Sequence, residues 1–166
     1  MSIESIFKMG MKRDIPWPIP DWEPKDVTVL NLGCGNSRID GAINLDYPDW
    51  DADRYDLPFD NNSIAQIHAY HFLEHLQDPV RILLECQRVL IVGGHMNIVV
   101  PYYTSQMMAH DLDHKHAFCE ETWRVLFNNP YYNKNKIEWK FKVHTNIIIG
   151  VVERNLCLMT QLIKKE

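Results

Sequence analysis

The sequence reads as an α/β domain whose sheet is mostly parallel and ends in an antiparallel strand. Three observations carry that reading. Short apolar, β-branched runs alternate with turns and with one segment of helical periodicity. The first run closes on Gly33-Cys34-Gly35 and the second on Asp46, an order suited to a ligand at the carboxyl ends of parallel strands. The final stretch reads as two long neighbouring strands, 137–151 and 155–163, which a short turn can join only as an antiparallel pair.

Taken in order, residues 1–26 have a composition of their own. Pro16, Pro18, Pro20 and Pro24 alternate with Trp17 and Trp22. Such proline spacing denies backbone hydrogen bonding and favours an extended arm, and its two indoles need apolar cover. The arm is expected to pack on the core, a position that also allows it to cover a ligand. The domain proper is 27–166. Val27 to Leu32 suits a buried parallel strand, and Ala42 to Leu45 a second. Tyr47 to Tyr55 is a polar, aspartate-rich loop, and 56–63 carries turn chemistry. Ile64 to His71 is a third strand.

Leu73 to Val92 shows helical spacing, with Asp78 as N-cap and Pro79 in the first turn, and Gly93-Gly94 is expected to stop it. His95 to Val100 is a fourth strand closed by Pro101. Tyr102 to Cys119 is a polar loop rich in histidine, and Glu120 to Asn128 a short helix. Only residues 36–43 separate the glycine turn from the second strand. A parallel crossover normally takes about a dozen residues or more, so the first crossover helix must be shortened or absent.

The chain has 166 residues, a 46% hydrophobic and 23% charged composition, and a formal net charge of −5. That balance offers no global positive field to gather nucleic acid. Lys134, Lys136, Lys140, Lys142, Lys164 and Lys165 read as a solvated strand face, not a phosphate track. Cys34, Cys86, Cys119 and Cys157 lie far apart and read as reduced thiols. No stretch approaches the roughly 20 apolar residues of a membrane span, and no signal peptide is evident, so a cytoplasmic location is expected. A small-molecule partner fits best; the oligomeric state stays open.

The runs Val29-Leu30-Asn31-Leu32-Gly33-Cys34-Gly35, Asn44-Leu45-Asp46 and Asp56-Leu57-Pro58-Phe59 are followed by Phe72-Leu73-Glu74-His75-Leu76, Asp78-Pro79 and Arg88-Val89-Leu90. In this order, over roughly 27–101, they resemble the class I S-adenosylmethionine-dependent methyltransferases. The resemblance implies a Rossmann-like methyltransferase sheet in the order 3-2-1-4-5-7-6. It implies S-adenosyl-L-methionine as cofactor, with the Gly33-Cys34-Gly35 turn around its methionine and ribose and Asp46 on the ribose hydroxyls. Asp56 and Leu57 would lie beside adenine, and Tyr70 and His71 would face the reacting methyl. Glu74 and His75 are typical of the family and are expected to serve packing and capping. Asn31 stands where the family commonly has an acid that anchors the cofactor amine. The shortened crossover, with the later Asp111-Leu112-Asp113-His114, is similar to a subset of small bacterial and phage-borne members.

Methyl transfer from a sulfonium is an in-line displacement that needs alignment, little water and sometimes a base. Tyr102 and Tyr103, past the fourth strand, could offer an aromatic face to the sulfonium or shape the substrate mouth, and plain packing explains them equally well. In the histidine-rich loop, His114 or His116 could act as a base, with Asp111 or Asp113 orienting it or contacting substrate. His110, Asp113, His114 and His116 match no standard zinc spacing, so no metal is expected. The reading is methyl transfer to an oxygen or nitrogen of a small polar molecule. A cofactor-binding module without transferase activity, or another reaction such as cleavage of the cofactor, is the alternative.

Overall fold

The computed structural model describes residues 28–128, 137–150 and 154–166. In chain order these form β1 (Val29–Leu32), β2 (Ile43–Leu45), β3 (Ile64–Tyr70), a 3₁₀ turn (Leu73–His75), α1 (Pro79–Val89) and β4 (Leu90–Pro101). Then follow α2 (Gln106–His110), α3 (Glu120–Asn128), β5 (Phe141–Ile149) and β6 (Cys157–Lys164). One sheet holds all six strands in the order β2-β1-β3-β4-β6-β5. The first four are parallel, and β6 runs antiparallel to both β4 and β5. The mostly parallel sheet and its antiparallel final strand are thus as expected. The arm expected over 1–26 lies outside the described residues. No helix among the described residues is long and apolar enough to cross a membrane.

Three expectations need correction. The resemblance implied a strand outside β2, but β2 forms the sheet edge among the described residues and 47–63 is made of turns and bends. The aspartates and prolines there favour local turns over a ladder. The helix expected over 73–92 is broken into the 3₁₀ turn and α1, because Asp78 accepts from Arg81 N at 3.1 Å and starts a new helix with Pro79 in its first turn. Gly93-Gly94 does not stop that helix, which ends at Val89. The glycines lie inside β4, where an irregularity carries the register from Ile64↔Leu90 to Gln66↔His95.

The crossover between β1 and β2 contains no helix, as expected, and the structure shows what replaces it. Asn44 Oδ1 accepts from Ile39 N at 2.9 Å and from Asn31 Nδ2 at 2.8 Å. Asn44 Nδ2 donates to the carbonyls of Ile39 and Ala42, and Asn31 Nδ2 to that of Ser37 at 2.9 Å. Two side-chain amides therefore satisfy backbone groups that a helix would satisfy internally.

The main core gathers on one side of the sheet, and a smaller cluster of Val99, Cys157 and Met159 on the other. Leu30, Leu32, Ile67, Met96, Ile98 and Leu158 join Ile82, Leu83, Cys86 and Val89 of α1 and Trp123 of α3 in one cluster. Each such side chain contributes about 1.5–3 kcal/mol by leaving water. Trp123 is fully buried, and its indole N–H donates to Thr160 Oγ1 at 2.8 Å. A polar rung also crosses all six strands: Asn44, Asn31, His68, Asn97, Gln161 and Thr145 are successive register partners. Asn97 and Gln161 are fully buried and joined at 2.9 Å.

Candidate functional site

Three strand ends converge on one cleft. The residue after β1 is Gly33, that after β2 is Asp46 and that after β3 is His71, and all three line a space of about 350 Å³. This is the carboxyl edge of the parallel strands, where open α/β sheets bind ligands. The volume is within the usual range for small-molecule sites.

The glycine turn is shaped by close approach. Gly33 has φ +63°, and a Cβ there would lie 2.3 Å from Phe72 Cδ2. Its N–H donates to Leu45 O at 2.9 Å, tying the turn to the end of β2. Gly35, φ +46°, donates its N–H to Asp46 Oδ2 at 2.5 Å, while Asp46 Oδ1 accepts from Tyr47 N at 2.9 Å. Cys34 is buried between them, and burial and then the charge of Asp46 push its thiol up, which disfavours the thiolate.

The far wall comes from the loop after β2. Trp50 Nε1 donates to Asp56 O at 3.2 Å, and the Trp50 ring sits 6.4 Å from that of Phe72. Asp51, Ala52 and Asp53 also line the cleft, and Asp53 Oδ1 accepts from Gln77 N at 2.8 Å. Sequence reasoning passed over these residues, along with Phe72, Leu76 and Lys115. The sequence signals for them were the aspartate-rich loop and the Phe72-Leu73-Glu74-His75-Leu76 run.

His71 lines the cleft with its backbone at φ +51°, a conformation uncommon outside glycine. Its Nδ1 lies 3.2 Å from Oε1 of the fully buried Glu74, and its Nε2 lies 3.9 Å from Cys157 Sγ. Burial works against its charge, but the contacts with Cys157 and Glu74 outweigh that and push its pKa up to about 9. With both ring nitrogens turned toward protein partners, His71 forms a wall of the cleft.

The structure moves several expected residues elsewhere. Asp56 is exposed and paired with Arg81 Nη1 at 2.9 Å. Leu57 is buried, its N–H on Glu85 and its carbonyl on Arg88 Nη2 at 2.9 Å. Arg88 also donates to Phe59 O, so the 56–59 motif and the Arg88 motif clasp each other, away from the cleft. Tyr70 alternates to the opposite side of β3, where its hydroxyl meets His68 Nδ1 at 2.7 Å. Asn31 is committed to the crossover and not to the cleft.

Tyr102 donates to Glu120 at 2.9 Å; that bond, with some burial, pushes its pKa up to about 12, and it stacks edgewise on the exposed Tyr103. Neither tyrosine lines the cleft. From the histidine-rich loop Asp113 and Lys115 line it, while His114 packs at 4.7 Å against His75 and His116 stands outside.

Residues 37–98 match the family model described as a methyltransferase domain. No curated protein sequence matches the chain significantly. Among solved structures, the chain is similar to a SAM-dependent methyltransferase from Methanosarcina mazei, at 15% identity, covering 87% of this chain and 95% of that one with TM-score 0.60. A second is an S-adenosylmethionine-dependent methyltransferase from Mesorhizobium loti, at 13% identity, 83% and 91% coverage and TM-score 0.56. A third is the geranyl diphosphate C-methyltransferase of Streptomyces coelicolor, solved with Mg²⁺, geranyl diphosphate and S-adenosyl-L-homocysteine, at 12% identity, 87% and 74% coverage and TM-score 0.58. At such identities the likeness is one of fold. The resemblance to the class I methyltransferases is borne out in fold and, over residues 37–98, in the family match.

Proposed function

We propose that this chain binds S-adenosyl-L-methionine in the cleft and transfers its methyl group to an oxygen or nitrogen of a small polar molecule. The observation that carries the reading is the convergence of Gly33 and Asp46, joined through Gly35, at the ends of β1 and β2. The chemistry of the lining fits the cofactor. Asp46, Asp51, Asp53 and Asp113 make the cleft acidic, which favours a cationic ligand, and Trp50, Phe72 and Leu76 give it flat apolar walls.

When bound, the cofactor supplies an electrophilic methyl group on a sulfonium. Asp46 takes the ribose hydroxyls, for which each carboxylate oxygen keeps a free lone pair beside its backbone bond. Gly33, lacking a side chain, lets the backbone approach the ligand. Trp50, Asp51, Ala52 and Asp53 enclose the adenine end, a role the sequence had pointed to Asp56 and Leu57. At the other end, Asp113 and Lys115 offer one charge of each sign to the acceptor, and His71, held by Glu74, fixes the wall against which it lies. Alignment and water exclusion supply the catalysis here.

Calorimetry with S-adenosylmethionine and S-adenosylhomocysteine tests the reading. Micromolar binding is expected, weakened in Asp46→Ala by about 1–3 kcal/mol, the usual cost of unpaired polar partners. An unchanged affinity would remove the ribose from Asp46. The engagement of both His71 ring nitrogens favours a second reading, a binding module that lacks a base. Under it no acceptor pool would yield S-adenosylhomocysteine matched by a methylated product.

A further inference from the structure

We propose that Glu74, His75 and His114 form a binding site for a divalent transition metal, zinc in the first instance, behind the wall of the cleft. One ligating atom from each of the three lies within 4.8 Å of the others. Tetrahedral zinc with bonds of about 2.1 Å places its ligands roughly 3.4 Å apart, so side-chain rotation suffices to close the site. The set of one carboxylate and two imidazoles suits zinc and leaves one coordination position open.

The surroundings distinguish this cluster from a casual contact. Glu74 is fully buried; its Oε1 faces His71 Nδ1 at 3.2 Å, and its Oε2 has no hydrogen-bond partner among the described residues. The pair with His71 leaves Oε2 as a buried, unsatisfied acceptor that a second cation can serve. The His114 side chain is only 7% exposed, and its Nδ1 is buried with no hydrogen-bond partner.

Each histidine also has a carboxylate behind it. His75 Nδ1 lies 3.3 Å from Asp113 Oδ2, and His114 Nε2 lies 3.6 Å from Asp111 Oδ2. This leaves His75 Nε2 and His114 Nδ1 for the metal, each backed by an acid that sets the tautomer and strengthens the ligand. The two segments are already clamped together. Lys115 N donates to Glu74 O at 2.7 Å, His116 N donates to the same oxygen, and the Lys115 ammonium bonds the His75 carbonyl. The Asp-x-x-His spacing of 111–114, unexplained by the cleft, finds its purpose in this arrangement.

The test uses the full chain, stripped of metal with a chelator, and needs no cofactor, so its outcome is separate from that of the methyl-transfer reading. Titration with Zn²⁺ in a calorimeter is expected to show one equivalent bound at micromolar strength or tighter. Co²⁺ is expected to give visible absorption bands of a low-symmetry, four-coordinate site. Glu74→Gln and His114→Ala should each weaken Zn²⁺ binding at least tenfold, while His144→Ala on β5 leaves it unchanged. Should a ligand variant fail to fold, the imidazole NMR signals of the unaltered chain decide: those of His75 and His114 must move with Zn²⁺. No binding, binding undiminished in both variants, or shifts confined to other histidines would overturn the proposal.

Discussion

At the scale of single residues, close approach and left-handed backbone determine more of the site than charge does. Gly33 is the sharpest case, because its φ and the Phe72 ring each exclude a side chain. Gly33→Ala is expected to displace Phe72 and the end of β1, costing about 2–4 kcal/mol in denaturant unfolding and abolishing cofactor binding. A variant with ordinary stability and affinity would contradict the described packing. The placing of Gly33, Asp46 and His71 at strand ends was legible in the sequence, because each follows a recognisable strand. The pairing of Asp56 with Arg81 was not legible, because Arg81 is distant in sequence and such an ion pair is made by tertiary contacts. The side that Tyr70 takes is legible from alternation alone: Ile67 and Ala69 face the core, so His68 and Tyr70 face the other way.

At the scale of elements, a missing helix is replaced by two asparagines. Asn44→Ala would leave the Ile39 amide and the Asn31 side chain short of partners. We expect a loss of about 2–3 kcal/mol in chemical unfolding, with β2 the first strand to lose amide-exchange protection. An effect under half a kilocalorie would show that the crossover does not depend on this hub. By contrast Asp78→Ala, which removes the cap of α1, should cost only about 1 kcal/mol in the same measurement. The sequence announced that the crossover was too short for a helix, since residue count alone reveals it. It could not reveal the substitute, because Asn31 and Asn44 meet only when β1 and β2 pair. The Gly93-Gly94 irregularity was misread for a similar reason: a glycine pair ends a helix or bends a strand, and only the register with β3 decides.

For the whole molecule, the polar rung has both an acid-sensitive member and a wider meaning. Burial, and then the neighbouring charge of His95, lower the pKa of His68 to about 4. The unfolded chain therefore binds more protons than the folded one between about pH 6.5 and pH 4. Stability from this group is complete above that window and is lost as the pH falls through it, by up to about 3 kcal/mol at roughly 1.4 kcal/mol per unit. Urea midpoints measured across the window should fall more steeply for the natural chain than for His68→Asn, and parallel curves would refute the assignment. Hydrophobic alternation penalises a strand that slips by one residue, since every side chain then changes sides. It is blind to a slip of two, which preserves inside and outside. Moving β4 by two positions would set Val99 against His68 and strand the Gln161 amide without Asn97. The rung thus works as an alignment mark on assembly, rejecting the even-numbered slips that oil-and-water patterning alone would accept.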